Sequence, residues 1–143
     1  MVLKRLDQES EKFNWGGETQ NGFRKNRGTN DSLLASRLIA ALTREKGQSC
    51  WAVFVDNTKA YDLVNRELLW AILEKRGVPP KLLQLIKQMH IGARGKVKFQ
   101  GSFSEEFDLM NGLMQGSVIS PLLFNIFIVP CFRQLKKSLK RII

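Results

Sequence analysis

The segment from Cys50 to Asp62 carries the side chains best suited to chemistry. It begins with apolar, β-favouring residues, uninterrupted by glycine or proline, and this pattern predicts a buried strand that ends at Asp56. A carboxylate in that position is held firmly at the rim where ligands arrive. Because Mg²⁺ prefers oxygen ligands, Asp56 is a candidate metal ligand, although an aspartate that only caps the following turn is the alternative. Tyr61 offers a flat ring beside the same rim.

A second candidate site is the loop of residues 111–120. In it, Gln115 lies between Gly112 and Gly116, so its amide can approach a ligand with little steric cover. The Ser–Pro pair at the end of the loop is a strong helix start. A polar loop that leads into a buried helix directs backbone N–H groups toward a substrate. We expect this loop and Asp56 to share one cleft.

A third candidate is a basic loop between Gln20 and Asp31. Arg24, Lys25 and Arg27 lie there beside one aromatic residue. Glycines at the ends of the loop allow close approach of the backbone, and arginine side chains match phosphate oxygens. The loop is therefore predicted to contact a nucleic-acid backbone or a triphosphate. A solvated basic loop with a purely structural role is the alternative.

Composition indicates one folded domain, or part of a larger one, with a polyanionic partner. The 143 residues are 43% hydrophobic and 9% aromatic, which excludes a disordered chain. The net charge of +10 favours nucleic acid or an anionic membrane surface, with solubility alone as the alternative. No apolar run is long enough to span a bilayer, so we expect no membrane insertion. The charged start, Met1 to Gln8, does not resemble a signal peptide.

Cysteine usage favours an intracellular protein, in the cytoplasm or the nucleus. Cys50 and Cys131 lie inside apolar runs and are predicted to be reduced core residues. Two scattered cysteines and the lone His90 do not have the spacing of a zinc site. A histidine near a helix end is predicted to be structural.

Helices are the main elements that must position these sites. Apolar residues at helical spacing predict one buried face on each helix, including a core stripe at Leu34, Leu38 and Leu42. Alternation over Gly95 to Met110 predicts an antiparallel hairpin. The fold class is therefore α+β, with helices packed on a small antiparallel sheet. The predicted helices comprise residues 1–12, 29–47, 65–77, 80–90 and 121–129, followed by a basic tail that is also helical.

Three segments together resemble the reverse transcriptase domain of LINE-type, non-LTR retrotransposons, and more distantly that of group II introns. Gln20 to Asp31 (QNGFRKNRGTND) is similar to the segment before the palm. Phe54 to Asp62 (FVDNTKAYD) resembles motif A, and Gly112 to Phe124 (GLMQGSVISPLLF) resembles motif B. The resemblance extends from Leu3 to Leu135, and the order and spacing of the three motifs make it specific.

This resemblance implies a partial right-hand polymerase fold, with residues 1–48 on the fingers side and residues 49–143 in the palm. It further implies an RNA-directed DNA polymerase that acts on an RNA or DNA template-primer with deoxynucleotides, through two bound Mg²⁺ or Mn²⁺ ions. Arg24 and Arg27 match basic residues near the template path.

The resemblance also assigns roles around the reaction centre. Asp56 matches the first metal-binding aspartate, and Val55 offers the neighbouring backbone carbonyl. Tyr61 matches the aromatic residue under the incoming sugar, which excludes a 2′-hydroxyl. Gln115 and Gly116 match the loop that packs on the template–nucleotide pair.

One family element is missing from the 143 residues. Motif C of these enzymes contains two adjacent aspartates, but no such pair occurs here and no acidic residue follows Asp108. We therefore expect a truncated domain that is inactive alone, because loss of one member of a catalytic set is severe. The alternative is a non-catalytic nucleic-acid-binding remnant of a retrotransposon. A metal-dependent hydrolase with Asp62 or Asp108 as a second ligand would leave motif B unexplained.

Overall fold

A computed structural model describes residues 1–15, 17 and 20–139 of the chain. The described residues form an α+β structure with five helices and two short antiparallel ladders, which confirms the predicted class. The helices are α1 (Val2–Lys12), α2 (Thr29–Glu45), α3 (Arg66–Lys75), α4 (Pro80–Gln88) and α5 (Ser120–Leu139). The strands are β1 (Arg94–Gly95), β2 (Lys98–Phe99), β3 (Ser102–Phe103) and β4 (Phe107–Asp108).

Local capping signals position the ends of α2 and α3. The side chain of Asn65 accepts a hydrogen bond from the N–H of Leu68 at 2.8 Å and starts α3. The carboxylate of Asp31 accepts one from the N–H of Gly28 at 2.7 Å at the start of α2. Gly47 and Gly77 follow α2 and α3 with φ of +61° and +79°, values that glycine adopts without strain.

The core is built from helices packed on one another, with α3 at its centre. Helix α3 packs against α4 and α5, and α1 packs against α4. Fully buried residues lie on each of these helices, among them Leu6, Leu69, Ile86 and Leu123. The prediction that helices pack on the sheet is wrong, because the β2–β3 ladder is exposed to solvent.

The predicted hairpin is confirmed as two consecutive ladders. β1 pairs with β4, with Arg94 opposite Asp108, and β2 pairs with β3, with Lys98 opposite Phe103. Ion pairs across the hairpin involve side chains that are 45% or more exposed, such as Arg94 with Glu106 at 3.2 Å. Solvent screens such pairs, so they contribute little to stability.

The predicted core stripe on α2 is wrong. Leu34, Leu38 and Leu42 are each more than half exposed, and no residue of α2 is buried. The helix itself forms because its caps and spacing are local properties. Its apolar face stays exposed because α2 makes no extensive contact with any other helix or strand in the described residues.

The predicted buried strand that ends at Asp56 is also wrong. Residues 48–57 belong to no ladder, and the side chains of Trp51 and Phe54 are 94% and 95% exposed. A strand requires a hydrogen-bonded neighbour. In the part of the chain that the structure describes, both ladders lie within residues 94–108 and provide none.

Smaller corrections concern the cysteines and the last helix. Cys50 and Cys131 are free, as expected, but both are exposed rather than core residues. Helix α5 does not stop at Val129; it continues through Pro130 into the basic segment. Leu68 and Met89 lie at apolar positions of the predicted helices 65–77 and 80–90, where a buried face was expected, but they are 52% and 39% exposed. Across the described ranges, none of the helices combines the length and apolar character that crossing a bilayer needs.

Candidate functional site

A cleft of about 480 Å³ brings together three of the predicted site residues. Tyr61 lines one side of this cleft, and Gln115 and Gly116 line another. The cleft is completed by Ser117, Ser120 and Pro121 at the start of α5. Its volume lies within the range of about 300–1,000 Å³ that is usual for small-molecule sites. We refer to it below as the Tyr61 cleft.

Backbone hydrogen bonds hold the glycine loop against the segment that follows motif A. The N–H of Gly112 donates to the carbonyl of Val64 at 2.8 Å, and that of Leu113 donates to the carbonyl of Tyr61 at 2.9 Å. A Cβ on Gly112 would lie 2.8 Å from the backbone oxygen of Asp62, and its φ is +84°. Only glycine permits this close approach, so the loop and Tyr61 form one unit.

Arg66 also holds the glycine loop in place, and its role was not predicted from the sequence. Its guanidinium donates to the carbonyls of Gly112 and Leu109, both at 2.7 Å, and to that of His90 at 3.1 Å. Burial lowers the pKa of Arg66. An arginine directly after a helix cap gives no sequence signal for three distant carbonyl partners.

Tyr61 is positioned by an aromatic contact. Its ring stacks on Phe124 of α5, with centroids 5.2 Å apart. Burial raises the pKa of Tyr61, so the phenol is neutral at physiological pH. Nearby, the side-chain amide of Gln115 donates to the carboxylate of Asp62 at 3.3 Å. The Ser120 hydroxyl donates to the carbonyl of Met114 at 2.8 Å and closes the loop onto α5.

Asp56 and Val55 do not line the Tyr61 cleft, which corrects the expectation of a shared cleft. Asp56 is exposed, and Val55 is 62% exposed, because their segment has no strand partner. Across the described residues, no group of three or more His, Cys, Asp or Glu side chains lies close enough together to hold a metal ion. One carboxylate and one carbonyl do not meet the needs of a two-cation site, so these residues alone do not fit Mg²⁺ or Mn²⁺.

Arg24 of the basic loop is engaged within the protein. It donates two hydrogen bonds to the Glu11 carboxylate, at 3.0 and 2.9 Å, and another to the carbonyl of Gly17. Only 6% of its side chain is exposed. The hydrogen bonds from Arg24 lower the pKa of Glu11, and the same contact raises the pKa of Arg24. This geometry favours the structural alternative for Arg24.

Asn125 holds the basic loop against α5 and was also missed from sequence. Its side-chain NH₂ donates to the carbonyl of Gly22 at 2.8 Å, and its oxygen accepts from the amide of Gln20 at 2.9 Å. Asn125 is 2% exposed. A polar residue inside an otherwise apolar helix was the signal that could have found it, because such a residue needs partners when it is buried.

Lys25 and Arg27, unlike Arg24, are exposed. Lys25 lines a cavity of about 280 Å³ together with Asp7 and Phe23. Pro121 lines both this cavity and the Tyr61 cleft, so the two are adjacent. The predicted contact of Lys25 and Arg27 with nucleic acid stays a prediction.

His90 is structural in position, outside the Tyr61 cleft. It is 2% exposed, its Nδ1 lies 2.9 Å from the carbonyl of Ile86, and its ring packs edge-on against Trp70 at 5.4 Å. A carbonyl only accepts, so Nδ1 carries the proton of the neutral ring. Burial lowers the pKa of His90.

Comparison with known proteins identifies the family. The profile described as reverse transcriptase (RNA-dependent DNA polymerase) matches residues 1–143. The retrovirus-related Pol polyprotein from type-2 retrotransposable element R2DM of Drosophila melanogaster is 26% identical over 127 residues, which is 89% of this chain and 12% of that protein. The RNA-directed DNA polymerase from mobile element jockey of Drosophila funebris is 31% identical over 128 residues, or 89% of this chain and 14% of that protein.

The matched relatives are polymerases of non-LTR retrotransposons, as the three motifs predicted. The chain spans only about an eighth of the length of these two relatives, 12% and 14%. No solved structure matches the chain significantly. Since the family profile covers the whole of it, the chain belongs to the reverse transcriptase family of RNA-dependent DNA polymerases.

Proposed function

We propose that the Tyr61 cleft receives the incoming deoxynucleotide and its template base in an RNA-directed DNA polymerase. The observation that carries this proposal is the fixed contact between two separate motifs. Backbone hydrogen bonds from Gly112 and Leu113 join the glycine loop to the Tyr61–Val64 segment, and a cleft opens where they meet. Rigid positioning of contact groups is what template-directed chemistry requires.

Each lining residue has a chemical role in this proposal. The half-buried ring of Tyr61 would provide an apolar floor for a deoxyribose and would exclude a 2′-hydroxyl. Gly116 has open space around its Cα, since no atom comes within 4 Å of the point where a Cβ would lie, and a flat base pair can pack against it. Gln115 presents its amide at the same surface. In this proposal, residues 49–143 belong to the palm of a right-hand polymerase, and residues 1–48 to its fingers side.

Asp56 and the carbonyl of Val55 are proposed as one side of the divalent-cation site of the intact enzyme. Such a site requires further carboxylates, since hard cations take about six oxygen ligands, some of them water. The bound Mg²⁺ or Mn²⁺ would supply charge stabilisation in nucleotidyl transfer. We expect the 143-residue chain alone to extend no primer, because it brings one carboxylate where several are needed. The proposed partners are an RNA or DNA template-primer and deoxynucleotides, inside the cell.

A nucleotide cross-linking experiment tests the proposal. The chain is mixed with a template-primer and a photoreactive deoxynucleotide that matches the template base, and the adduct is quantified after irradiation. We expect Tyr61→Ala and Gln115→Ala to reduce matched adduct about tenfold, and Tyr61→Phe, which keeps the ring, to retain it. Tyr61→Ala should also accept the ribonucleotide as well as the deoxynucleotide. The proposal would be contradicted if matched and mismatched nucleotides gave equal amounts of cross-linked adduct. It would also be contradicted if Tyr61→Ala gave as much adduct as the parent chain.

The second candidate is a nucleic-acid-binding module without chemistry. The exposure of Asp56 outside the cleft favours it, as does the net charge of +10. Phosphate neutralisation gives an affinity that falls steeply with salt, without any nucleotide dependence. A filter-binding titration over salt concentration separates the two candidates. The binding-module candidate is supported if the affinity for template-primer falls with salt and a matched nucleotide never increases it. An affinity that does not change with salt argues against this candidate.

A further inference from the structure

A groove with apolar walls and a cationic rim lies between the end of α1, the outer side of α3 and the middle of α5. Its volume is about 590 Å³, and it shares no lining residue with the Tyr61 cleft. Phe13, Trp15 and Leu68 contribute to its apolar walls, and Lys75, Arg76 and Arg133 contribute its positive charge. We propose that this groove, called the basic groove below, binds a single-stranded segment of RNA or DNA.

The charge of the basic groove is uncompensated among the residues that line it. It is lined by three basic side chains and by no acidic one. Burial, and after it the nearby charge of Arg133, lowers the pKa of Arg76. Arg76 and Arg133 line the same groove, and like charges that share a groove repel each other. The ion pairs found in the described residues involve Arg24, Arg94 and Lys96, not the groove cations. A phosphate between these cations would relieve the repulsion.

The walls of the groove are held in place before any ligand arrives. Arg76, which follows α3, donates to the carbonyl of Trp15 at 2.8 Å and so joins α3 to the turn after α1. This contact uses one of the N–H groups of Arg76 and leaves others for a phosphate. Lys75 and Arg133 are exposed at the rim and lie on different helices. The groove therefore presents cations from two sides to one bound strand.

An exposed aromatic ring gives the groove a feature that suits bases. Phe13 is 53% exposed, and its ring is nearly parallel to that of Trp15, with centroids 6.1 Å apart and an interplanar angle of 14°. The ammonium of Lys12 lies 4.9 Å from the centroid of Phe13. Because this lysine is exposed and has a long, flexible side chain, a base can displace it, and the lysine then adds a further cation near the phosphate. Aromatic rings interleaved with cations are the usual design of single-strand sites.

Single-stranded nucleic acid suits the groove better than other anionic partners do. A duplex keeps its bases stacked inside, so it would meet the cations but not the ring of Phe13. A membrane surface requires an apolar side chain that protrudes from the protein, whereas the groove is concave. An acidic peptide would meet the charge but would leave the aromatic wall unused. The inference does not depend on nucleotide binding in the Tyr61 cleft.

The test measures binding of fluorescein-labelled single-stranded RNA and DNA oligonucleotides to the full chain by fluorescence anisotropy. Lys75→Glu and Arg133→Glu alter the groove, and Lys81→Glu and Arg37→Glu make the same charge change on exposed positions elsewhere. At about 0.1 M salt we expect each groove variant to weaken binding about tenfold and each control less than about threefold. Phe13→Leu, which keeps an apolar side chain without the ring, should weaken binding about fivefold or more, and Phe99→Leu should not.

Several results would overturn the inference. Equal losses in groove and control variants would show that binding follows net charge alone. If Phe13→Leu weakened binding of a duplex of the same sequence as much as binding of the single strand, base stacking on Phe13 would be excluded. The groove would be assigned to a different partner if the groove variants abolished binding of an acidic peptide and left oligonucleotide binding intact. Lys75→Gln and Arg133→Gln, checked by thermal unfolding, show whether a loss arises from misfolding. The oligonucleotide assay contains no deoxynucleotide, whereas the cross-linking assay measures a matched one, so this inference and the proposed function can fail separately.

Discussion

Two regions of the chain differ sharply in how they are packed. The packed body, formed by α1, α3, α4 and α5 with their connections, buries residues such as Leu6, Leu69 and Leu123 completely. The outer arm, residues 29–57, contains α2 and the segment with Asp56, and it buries no side chain. Both regions carry apolar residues at regular spacing. Their difference is that the body supplies packing partners for its own apolar faces, and the arm has none among the described residues.

This difference has a functional consequence. The residues proposed to contact the nucleotide lie on the packed body, where backbone hydrogen bonds and stacking fix them. The carboxylate proposed to bind metal lies on the outer arm, where nothing in the described part of the chain fixes it. The proposed nucleotide contacts and the proposed metal ligand therefore lie in differently packed regions of the chain. The predictions below test that separation.

The largest expected contrast is in stability. Leu69 is fully buried on α3 and Leu38 is 53% exposed on α2, and both are leucines within helices. We expect Leu69→Ala to lower the free energy of unfolding by about 2–5 kcal/mol, because it leaves a cavity in the core. Leu38→Ala should change it by no more than about 0.5 kcal/mol. Urea unfolding measures both, and equal losses would show that the arm is packed as well as the body.

The second contrast lies within the glycine loop. Gly112 and Gly116 have φ of +84° and +86°, but only at Gly112 would a Cβ meet backbone atoms closer than 3 Å. We expect Gly116→Ala to cost about 1 kcal/mol from backbone strain alone. Gly112→Ala should cost at least about twice as much, because the loop must also move away from Asp62. Thermal unfolding measures the difference, and similar costs would contradict the close approach of loop and Tyr61 segment.

A third test uses the buried histidine of the packed body. Burial lowers the pKa of His90 below its ordinary value of 6.5, so the unfolded chain binds this proton more readily than the folded chain does. The contribution of neutral His90 to the free energy of unfolding is therefore fully present above about pH 6.5. It is lost as the pH drops from 6.5 toward the lower pKa of the folded chain. His90→Asn, which keeps a donor for the carbonyl of Ile86, should remove this dependence.

The pH effect of His90 is separable from that of Glu11. Hydrogen bonds from Arg24 lower the pKa of Glu11 below its ordinary value of 4.5, so its contribution is present above that value and is lost only as the pH falls through the lower folded pKa. Urea midpoints measured between about pH 7.5 and 5 therefore report His90. A midpoint that stays constant over this range in the parent chain would contradict the burial of His90.

The smallest effect on stability concerns the outer arm. Trp51, Val53 and Phe54 form an exposed, β-favouring run, which is prone to pair with other copies of itself. Phe54→Lys should change the free energy of unfolding by no more than about 0.5 kcal/mol, yet it should shift the chain from aggregate toward monomer. Light scattering during size-exclusion chromatography measures this shift. A parent chain that is already a monodisperse monomer would argue that the run is covered.

Local signals were sufficient to predict much of the fold. The cap at Asn65, the favourable charge of Asp31 at the start of α2, the glycines after α2 and α3, and the hairpin within residues 95–110 depend on a few neighbouring residues, and the structure follows them. Burial was harder to predict, because it depends on which distant segments are present to pack. The stripe on α2 and the strand before Asp56 have the patterns of buried elements, but periodicity shows only which face is apolar, not what covers it.

The candidate site shows the same limit. Motif resemblance singled out Tyr61, Gln115 and Gly116, and the structure brings them to one cleft. It gave no indication of Arg66 or Asn125, whose partners are backbone carbonyls and loop residues far away in sequence. The basic groove was also invisible in the sequence, because Phe13, Lys75 and Arg133 belong to three separate helical regions that meet only in the folded chain.

Hydrogen exchange of the chain with and without a template-primer and its matching deoxynucleotide tests the central claim most directly. In the free chain, the amides of Gly112 and Leu113 should be protected, since both are hydrogen-bonded, and those of residues 50–57 should exchange rapidly. Adding the matched nucleotide to the template-primer complex should slow exchange further in residues 112–117. Rapid exchange at Gly112 and Leu113 in the free chain, or no nucleotide-dependent change in residues 112–117, would contradict the claim that this loop forms a nucleotide site.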